Sequence, residues 1–284
     1  MKNNFLISLL LSSIAASGFA SEADGIFSYR IGQIEVYMLV ERSGPGNTGI
    51  LVGVDQAMLN QYIPQDGFSS STNVFLVKTG AQNILIDTGF GQTIFEKMNS
   101  LGVEAQDIDA VLITHLHGDH IGGLQRDGQA LFPNARIYLS SPELEHFTRT
   151  QPNQGAVAAL APYGDRVITF DPPSLGSALN EIFPGIFPIA NYGHTPGHTV
   201  FMIENGGSRL IIAGDFLHVA PVQFPVPDIS ATFDIDQRAA AASRRQLMEY
   251  AAQNNVLLAG MHIAYPGIGT VEVQGNGFSF TPVE

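Results

Sequence analysis

Short apolar runs alternate with polar, glycine-rich turns along most of the chain, a pattern typical of a mixed α/β domain. Apolar and polar residues partly alternate from Phe27 to Val40, which predicts opening strands. The other predicted strands are 73–78, 83–87, 110–113, 135–139, 166–170, 200–203, 210–215 and 256–261, with a final hairpin over 269–282. The predicted helices are 92–101, one beginning at Ser141 as N-cap, 156–162 and 238–253.

Two stretches have no regular period. Residues 43–72 are rich in Gly, Pro, Ser, Asn and Gln, and we interpret them as a flap near a functional site, with a plain surface excursion as the alternative. Residues 216–236 contain three prolines and three phenylalanines. Such a stiff apolar loop suits a pocket wall for an apolar or aromatic ligand, and a loop packed on the core is the alternative.

The composition indicates a well-packed globular protein. The chain has 284 residues, of which 45% are hydrophobic and 14% charged, so we expect one domain over 21–284 with a sizeable core. At the N-terminus, Lys2, an apolar run over 5–14 and the sequence Gly18-Phe19-Ala20 predict a secretory signal peptide over 1–20. The apolar run is too short to span a bilayer. We therefore expect a periplasmic or secreted protein with no membrane anchor after cleavage.

Charge and cysteine content restrict the partners. The net charge of −13 argues against nucleic acid or an anionic membrane surface and leaves a small molecule as the expected ligand. The oligomeric state is left open between a monomer and a homodimer. Because the chain has no cysteine, any metal must be held by His, Asp and Glu.

Four residues of those types follow the predicted strand 110–113: His115, His117, Asp119 and His120. On an extended strand exit, His115 and His117 project to the same side and can bind one metal ion. Gly118 then permits a turn that carries the next two side chains towards a neighbouring position. This donor set is the one that a zinc-like divalent cation prefers. The alternative is a solvated or pH-responsive histidine cluster. It is a poor explanation, because four ligand-type residues within six positions do not arise easily by composition alone.

The motif resembles the signature of the metallo-β-lactamase-fold hydrolases. The resemblance implies an α/β (α+β) fold, a four-layer αββα sandwich with a binuclear metal site at one edge of its sheets. It implies His115, His117 and His198 as ligands of one metal, Asp119, His120 and His262 as ligands of the second, and Asp215 as the bridging ligand. It also implies that Asp87 accepts hydrogen bonds and orients the ligand loop. His194 and His198 lie in one predicted loop, and His198 is favoured as the ligand, whereas His194 is expected instead to form hydrogen bonds within that loop.

The chemistry implied by the resemblance is hydrolysis. Two divalent ions, Zn²⁺ in the first place with Co, Mn or Fe as alternatives, would hold a bridging hydroxide that attacks an ester, lactone, amide or phosphoester. Asp119 and Asp215 are the catalytic candidates, because either could hold or shuttle the proton. One alternative is a β-lactamase, but the absence of cysteine and the presence of Asp215 argue against it. Another is a metal-binding protein without turnover, which the complete ligand set argues against.

Segments outside the ligand set resemble the branch that contains methyl parathion hydrolase and related secreted lactonases. They are Gly214-Asp215, His218-Val219-Ala220, Gln223-Phe224 and Pro266-Gly267-Ile268-Gly269. In that branch the loop after the bridging aspartate lines the pocket, so the pocket candidates are Phe90, His218, Phe224 and Phe233. His218 could donate a hydrogen bond to the substrate, or could be a structural loop residue. We expect a lactone or aryl ester as substrate, with phosphotriester hydrolysis as a side reaction; an organophosphate hydrolase is the alternative.

Overall fold

The computed structural model describes residues 24–283, so the predicted signal peptide over 1–20 lies outside the described residues. The strands are β1 (Ile26–Ile31), β2 (Ile34–Pro45), β3 (Ser69–Lys78), β4 (Asn83–Ile86), β5 (Ala110–Leu112), β6 (Gln125–Arg126), β7 (Gln129–Ala130), β8 (Arg136–Ser140), β9 (Val167–Phe170), β10 (Ile186–Ala190), β11 (Thr199–Asn205), β12 (Ser208–Ile212), β13 (Leu257–Ala259), β14 (Ile268–Gln274) and β15 (Gly277–Pro282). The α-helices are α1 (Gln56–Tyr62), α2 (Ile94–Ser100), α3 (Gly118–Ile121), α4 (Ser141–Glu145), α5 (Gln154–Leu160), α6 (Ala220–Gln223) and α7 (Gln237–Asn254).

The strands form two large sheets and a small hairpin. The seven-stranded sheet has the order β1-β2-β3-β4-β5-β8-β9, the six-stranded sheet has the order β10-β11-β12-β13-β14-β15, and β6 pairs with β7. In the middle of the first sheet β4, β5 and β8 are parallel, and in the second β12 and β13 are parallel. Parallel central strands are buried on both faces, which explains their uninterrupted apolar sequences.

The alternation of side chains along the central strands divides the core into layers. In β5, Ala110 and Leu112 pack in the cluster shared by the two sheets, whereas Val111 faces the cluster that includes residues of α2 and α5. In β12, Leu210 and Ile212 face the other sheet, and Ile211 faces the cluster formed with α7. Because successive side chains of a strand point to opposite faces, each sheet has helices on one side and the other sheet on its second side. The predicted αββα sandwich is confirmed.

Most predicted elements are present, and the differences are local. The N-cap of α4 is Ser140 rather than Ser141, because the Ser140 hydroxyl accepts the N–H of Glu143 (3.3 Å). The 43–72 stretch is more regular than expected: it contains the end of β2, helix α1 and the start of β3. Strand β10 was not predicted. Within residues 24–283, no helix is long and apolar enough to cross a membrane.

The topology brings the candidate ligands to one edge of the sandwich. Asp87 directly follows β4, and His115 follows β5 in the same sheet. In the other sheet, Asp215 follows β12 and His262 follows β13. The carboxyl ends of parallel neighbouring strands lie at the same edge, so residues far apart in sequence become neighbours there.

Candidate metal centre

Three imidazoles converge at the first position. His115 Nε2 lies 3.0 Å from His117 Nδ1. His194 Nε2 lies 3.2 Å from His115 Nε2 and 3.0 Å from His117 Nδ1. Two ligands of a tetrahedral zinc ion, each about 2.0–2.1 Å from the metal, are separated by about 3.3 Å. The three nitrogens therefore have the mutual spacing of ligands to one ion.

Asp119, His120 and His262 form the second group, as the sequence predicts. His120 Nε2 lies 3.8 Å from Asp119 Oδ1, and His262 Nε2 lies 3.5 Å from Asp119 Oδ2. The turn that begins at Gly118 continues as the one-turn helix α3, which carries the two ligand-type side chains away from the first group. Two neighbouring sets of ligand atoms result.

The carboxylate of Asp215 lies between the two groups. Its Oδ1 is 3.1 Å from His120 Nε2 and 3.2 Å from His262 Nε2, while its Oδ2 is 3.4 Å from His194 Nε2 and 3.6 Å from His115 Nε2. Burial opposes the charge of this carboxyl, but the surrounding histidines, His120 first, hold its pKa well below its usual range. His262 Nε2 is also 3.2 Å from Oδ2, so Asp215 is a buried anion whose carboxylate contacts ligand atoms of both groups, the arrangement expected of a bridging ligand.

The donor atoms fit metal ions in two further respects. Although they lie 3.1 Å apart, the buried atoms His120 Nε2 and Asp215 Oδ1 form no hydrogen bond with each other or with any other described residue. Such atoms are rare unless an ion or water satisfies them. Burial also lowers the pKa of both His117 and His194 to about 4. These imidazoles are therefore neutral near pH 7 and can present a lone pair to a cation.

The structure does not place His198 among these ligand atoms, and His194 lies in the place expected for it. Both ring nitrogens of His198 are already engaged: Nδ1 donates to the Asn191 carbonyl (3.0 Å), and Nε2 accepts the backbone N–H of Asp215 (3.0 Å). Gly214 has a φ of +53°, and a Cβ there would lie 2.5 Å from His198 Nε2. The ring of His198 thus packs beneath the chain at Gly214 and positions Asp215 through its backbone.

A cavity of 540 Å³ opens above the two groups. It is lined by Arg42, Pro45, Asn47, Ile50, Ser70, His117, Gly118, Asp119, Asp215, His218, Phe233 and His262. Its wall includes several residues of the 43–72 stretch, so this part of the chain does lie beside the site. Leu51 and its neighbours pack against Val219 and Val222, which fixes that wall to the loop after Asp215.

Two of the four pocket candidates lie at this cavity and two do not. His218 and Phe233 line it, with ring centroids 5.7 Å apart. Phe224 is instead buried in the core, where it stacks on Phe280 at 5.0 Å and contacts Phe216. Phe90 is 38% exposed and does not line the cavity, and its backbone N–H donates to the carboxylate of Glu41. The loop of residues 216–236 therefore contributes to both the cavity and the core.

The family model described as the metallo-beta-lactamase superfamily matches residues 69–262, about the same span that carries these ligand-type residues. The chain belongs to this superfamily. Since the family is one of metal-dependent hydrolases and the two His/Asp groups suit a binuclear site, the protein is an enzyme, a metallo-hydrolase of the superfamily.

Similar proteins agree with this assignment. The hydrolase AbOPH, of the beta lactamase superfamily, is 26% identical, with a TM-score of 0.82 over 92% of this chain and 98% of its own. AidC, a dizinc quorum-quenching lactonase solved with N-hexnoyl-L-homoserine as product, is 24% identical, with a TM-score of 0.80 and the same coverage, which shows the shared fold. An atrochrysone carboxyl ACP thioesterase from Passalora fulva is 30% identical over 152 residues, which are 51% of this chain and 37% of the thioesterase.

Asp87 lies where the sequence predicts an orienting residue. Its two oxygens accept the backbone N–H and the hydroxyl of Thr114 (2.8 and 2.7 Å), and Oδ2 also accepts from His120 Nδ1 (2.6 Å). Because the Thr114 hydroxyl donates to Asp87, it accepts from His115 Nδ1 (3.1 Å). Asp87 thereby leaves the Nε2 atoms of His115 and His120 free for a metal, the usual task of a carboxylate behind metal-binding histidines.

Asp234 plays the corresponding part for His194, and it was not among the predicted site residues. Its Oδ1 accepts from His194 Nδ1 (2.9 Å), and its Oδ2 accepts the backbone N–H of Ala231 (2.9 Å) and lies 3.3 Å from the guanidinium of Arg244. Arg244, fully buried on α7, also donates to the carbonyls of Phe216 and Pro227. Helix α7 contains three arginines, and nothing in the sequence pattern distinguishes the one that pairs with Asp234.

Glu143 is a second residue of the site that was not predicted from the sequence. It is fully buried, and its carboxyl accepts the backbone N–H groups of Leu116 (2.8 Å) and Gly197 (2.9 Å) and the hydroxyl of Thr195 (2.6 Å). Burial raises the pKa of this carboxyl to about 7 against the effect of those hydrogen bonds. One side chain on α4 thus ties the loop that carries His117 to the loop that carries His194.

Proposed function

We propose that the protein hydrolyses a lactone or an aryl ester at a binuclear metal centre, with phosphotriester cleavage as a lesser activity. The observation that carries the proposal is the position of Asp215 between two groups of ligand atoms at the floor of an open cavity. A second support is the mixed lining of that cavity, which offers apolar contact from Ile50 and Phe233 beside the ligands. A flat carbonyl with an apolar substituent suits this shape.

The ligands assigned to one metal are His115, His117 and His194, those assigned to the other are Asp119, His120 and His262, and Asp215 bridges. When bound, two divalent ions lower the pKa of a water molecule towards neutrality and polarise the oxygen under attack. The chain itself has to orient the substrate and move the proton. Asp119 is the proton acceptor in this proposal, since its carboxylate is partly exposed and faces the cavity.

His218 is assigned to substrate binding. Its Nε2 lies 3.2 Å from Asp215 Oδ2, its ring stacks on His262 at 5.0 Å, and its Nδ1 is buried without a hydrogen-bond partner among residues 24–283. Because His218 lines the cavity beside Asp215, its ring is placed to contact the substrate oxygen or the leaving group. The segment His218-Val219-Ala220 is also one of those that resemble the methyl parathion hydrolase and lactonase branch, to which we assign the chain.

A substrate panel on the metal-loaded protein tests the proposal. It contains an N-acyl homoserine lactone, an aromatic lactone, an aryl ester, a phosphotriester and a β-lactam. The proposal predicts the largest kcat/KM for a lactone or the aryl ester. A kcat/KM that is largest for the phosphotriester would make the organophosphate reaction the main one, and a dominant β-lactam rate would overturn the proposal while leaving the metal site intact.

We also propose that the enzyme is exported. The support is the sequence of residues 1–20, with a charged start, an apolar run and small residues before the predicted cleavage point at Ala20. Mass spectrometry of the N-terminus after expression in a bacterium with a periplasm tests this. A mature chain that begins at Ser21 is expected, and a chain that retains residues 1–20 in the cytoplasm would contradict it.

A further inference from the structure

Arg42 is the only lysine or arginine among the residues that line the cavity. Its side chain is exposed and makes no hydrogen bond or ion pair with any residue in the described part of the chain. Other cations in the described part of the chain, such as Arg136 and Arg238, also lack such a partner, but they do not line the cavity. A cation left without an internal partner beside a ligand cavity is available to a ligand.

A bulge in β2 directs Arg42 to the cavity. Val40 pairs with Asn73 and Arg42 pairs with Thr72, so Glu41 is an extra residue in the ladder. Glu41 turns inward, where its buried carboxylate accepts backbone N–H groups of the loop that follows Asp87. Bulges next to active sites commonly re-aim a neighbouring side chain in this way.

Ser70 adds a hydroxyl to the same side of the cavity. It lines the cavity and pairs with Gly44, two positions after Arg42, so the two polar side chains belong to one face of the β2–β3 ladder. Gly44 has no side chain to separate them, and a Cβ there would meet no heavy atom within 4 Å. The Ser70 hydroxyl makes only a long hydrogen bond to the His262 carbonyl (3.4 Å). Because this bond is long and weak, a substrate oxygen can replace the His262 carbonyl as the acceptor of the Ser70 hydroxyl.

The apolar lining residues lie elsewhere on the wall. Ile50 and Phe233 are brought together by the hydrogen bond from Thr232 N–H to the Ile50 carbonyl (2.8 Å) and by the bridge between Leu51 and Ala231. Phe233 is half-exposed and adjoins His218. The wall of the cavity thus combines a cationic, hydrogen-bonding patch on the ladder with an apolar patch on the two facing loops.

We propose that Arg42 and Ser70 bind an anionic group of the substrate, and that the preferred substrates are esters or lactones carrying a carboxylate at some distance from the scissile bond. This rests on the proposed hydrolase function. A guanidinium offers two parallel N–H donors that match a carboxylate, and Ser70 supplies a third donor. Since the net charge of the protein repels anions at long range, only a local cation can favour such a substrate.

A pair of matched chromogenic esters tests the proposal: mono-4-nitrophenyl glutarate and its methyl ester, which differ in one negative charge. Replacement R42Q should lower kcat/KM for the acid about tenfold more than for the methyl ester, mainly through KM. R42K should retain part of the preference. R30Q is the control. Arg30 lies on β1 and pairs with Glu35 at the start of β2, whereas Arg42 lies near the other end of β2.

Equal effects of R42Q on both esters, or none on either, would overturn the proposal. Failure of the wild-type enzyme to cleave either ester would count against the proposed ester hydrolysis instead. The anionic site is then tested by binding alone, with N-(4-nitrophenyl)glutaramic acid and its methyl ester as slowly hydrolysed amide analogues. Calorimetry should show tighter binding of the acid that is lost in R42Q and weakened by added salt; equal binding of acid and ester by the wild-type protein contradicts the proposal.

Discussion

The imidazole of His198 accepts the backbone N–H of Asp215 at 3.0 Å, and this hydrogen bond separates two roles that the sequence could not separate. His194 and His198 lie in one short loop, and both precede strand β11. Only His194 directs a ring nitrogen at His115 and His117. His198 instead fixes the position of the carboxylate that lies between the two ligand groups.

Metal analysis of two alanine variants should distinguish these roles. H194A should lose the metal held with His115 and His117, whereas H198A should keep both ions and lose about 2–4 kcal/mol of unfolding free energy, because it leaves the buried N–H of Asp215 unpaired. Metal per folded chain and denaturant unfolding are the measurements. A folded H198A protein that binds one ion fewer, beside an H194A protein that binds both, would restore the assignment made from the sequence.

Local patterns in the sequence predicted most strands and the cluster His115, His117, Asp119 and His120, whereas the four layers, Asp215 and His262 were predicted from the resemblance to the family. Apolar alternation reveals strands, and His115 to His120 are adjacent in the chain. The choice between His194 and His198 depends on which ring reaches the neighbouring sheet edge, and that depends on the path of the loop at Gly193 and Gly197. Asp234 and Glu143 were missed for the same reason, since Asp234 acts on His194, 40 positions away, and Glu143 acts on Leu116 and Thr195, 27 and 52 positions away.

Removal of the Asp87 carboxylate should weaken metal binding without removing a ligand. In D87A, His120 Nδ1 and the Thr114 hydroxyl lose their acceptor, so the rings of His120 and His115 are no longer held in orientation. The affinity for Zn²⁺ should fall about 10- to 100-fold. Titration against a competing chelator measures this, and an unchanged affinity would show that Asp87 does not orient the ligands.

Glu143 should stabilise the fold through the two loops that it joins. E143Q replaces one acceptor oxygen with an NH₂ group that faces existing donors, so the unfolding free energy should fall by about 2–3 kcal/mol. E145Q is a matched control, because Glu145 is exposed on the same helix and pairs only with Arg149. Urea unfolding of both variants is the measurement. Equal stability of E143Q and E145Q would mean that the buried hydrogen bonds contribute nothing net.

Phe233 and Phe224 should respond differently to truncation. F224A removes a buried ring that stacks on Phe280, so it should destabilise the protein by about 3–5 kcal/mol. F233A should change stability little, since that ring is half-exposed, but should raise KM for esters with apolar acyl groups. Thermal unfolding and a series of acyl chain lengths test both statements. A chain-length preference that survives F233A would remove this residue from the substrate site.

The central claim is that two metal ions, held by the groups that Asp215 joins, are required for hydrolysis. The most direct test strips the protein with a chelator and follows aryl-ester or lactone hydrolysis during titration with Zn²⁺, while unfolding controls confirm that the chain stays folded. We predict loss of activity on chelation and recovery as two ions bind per chain, with no recovery in D215N. Full hydrolysis by the metal-free protein, or by D215N, would contradict the account.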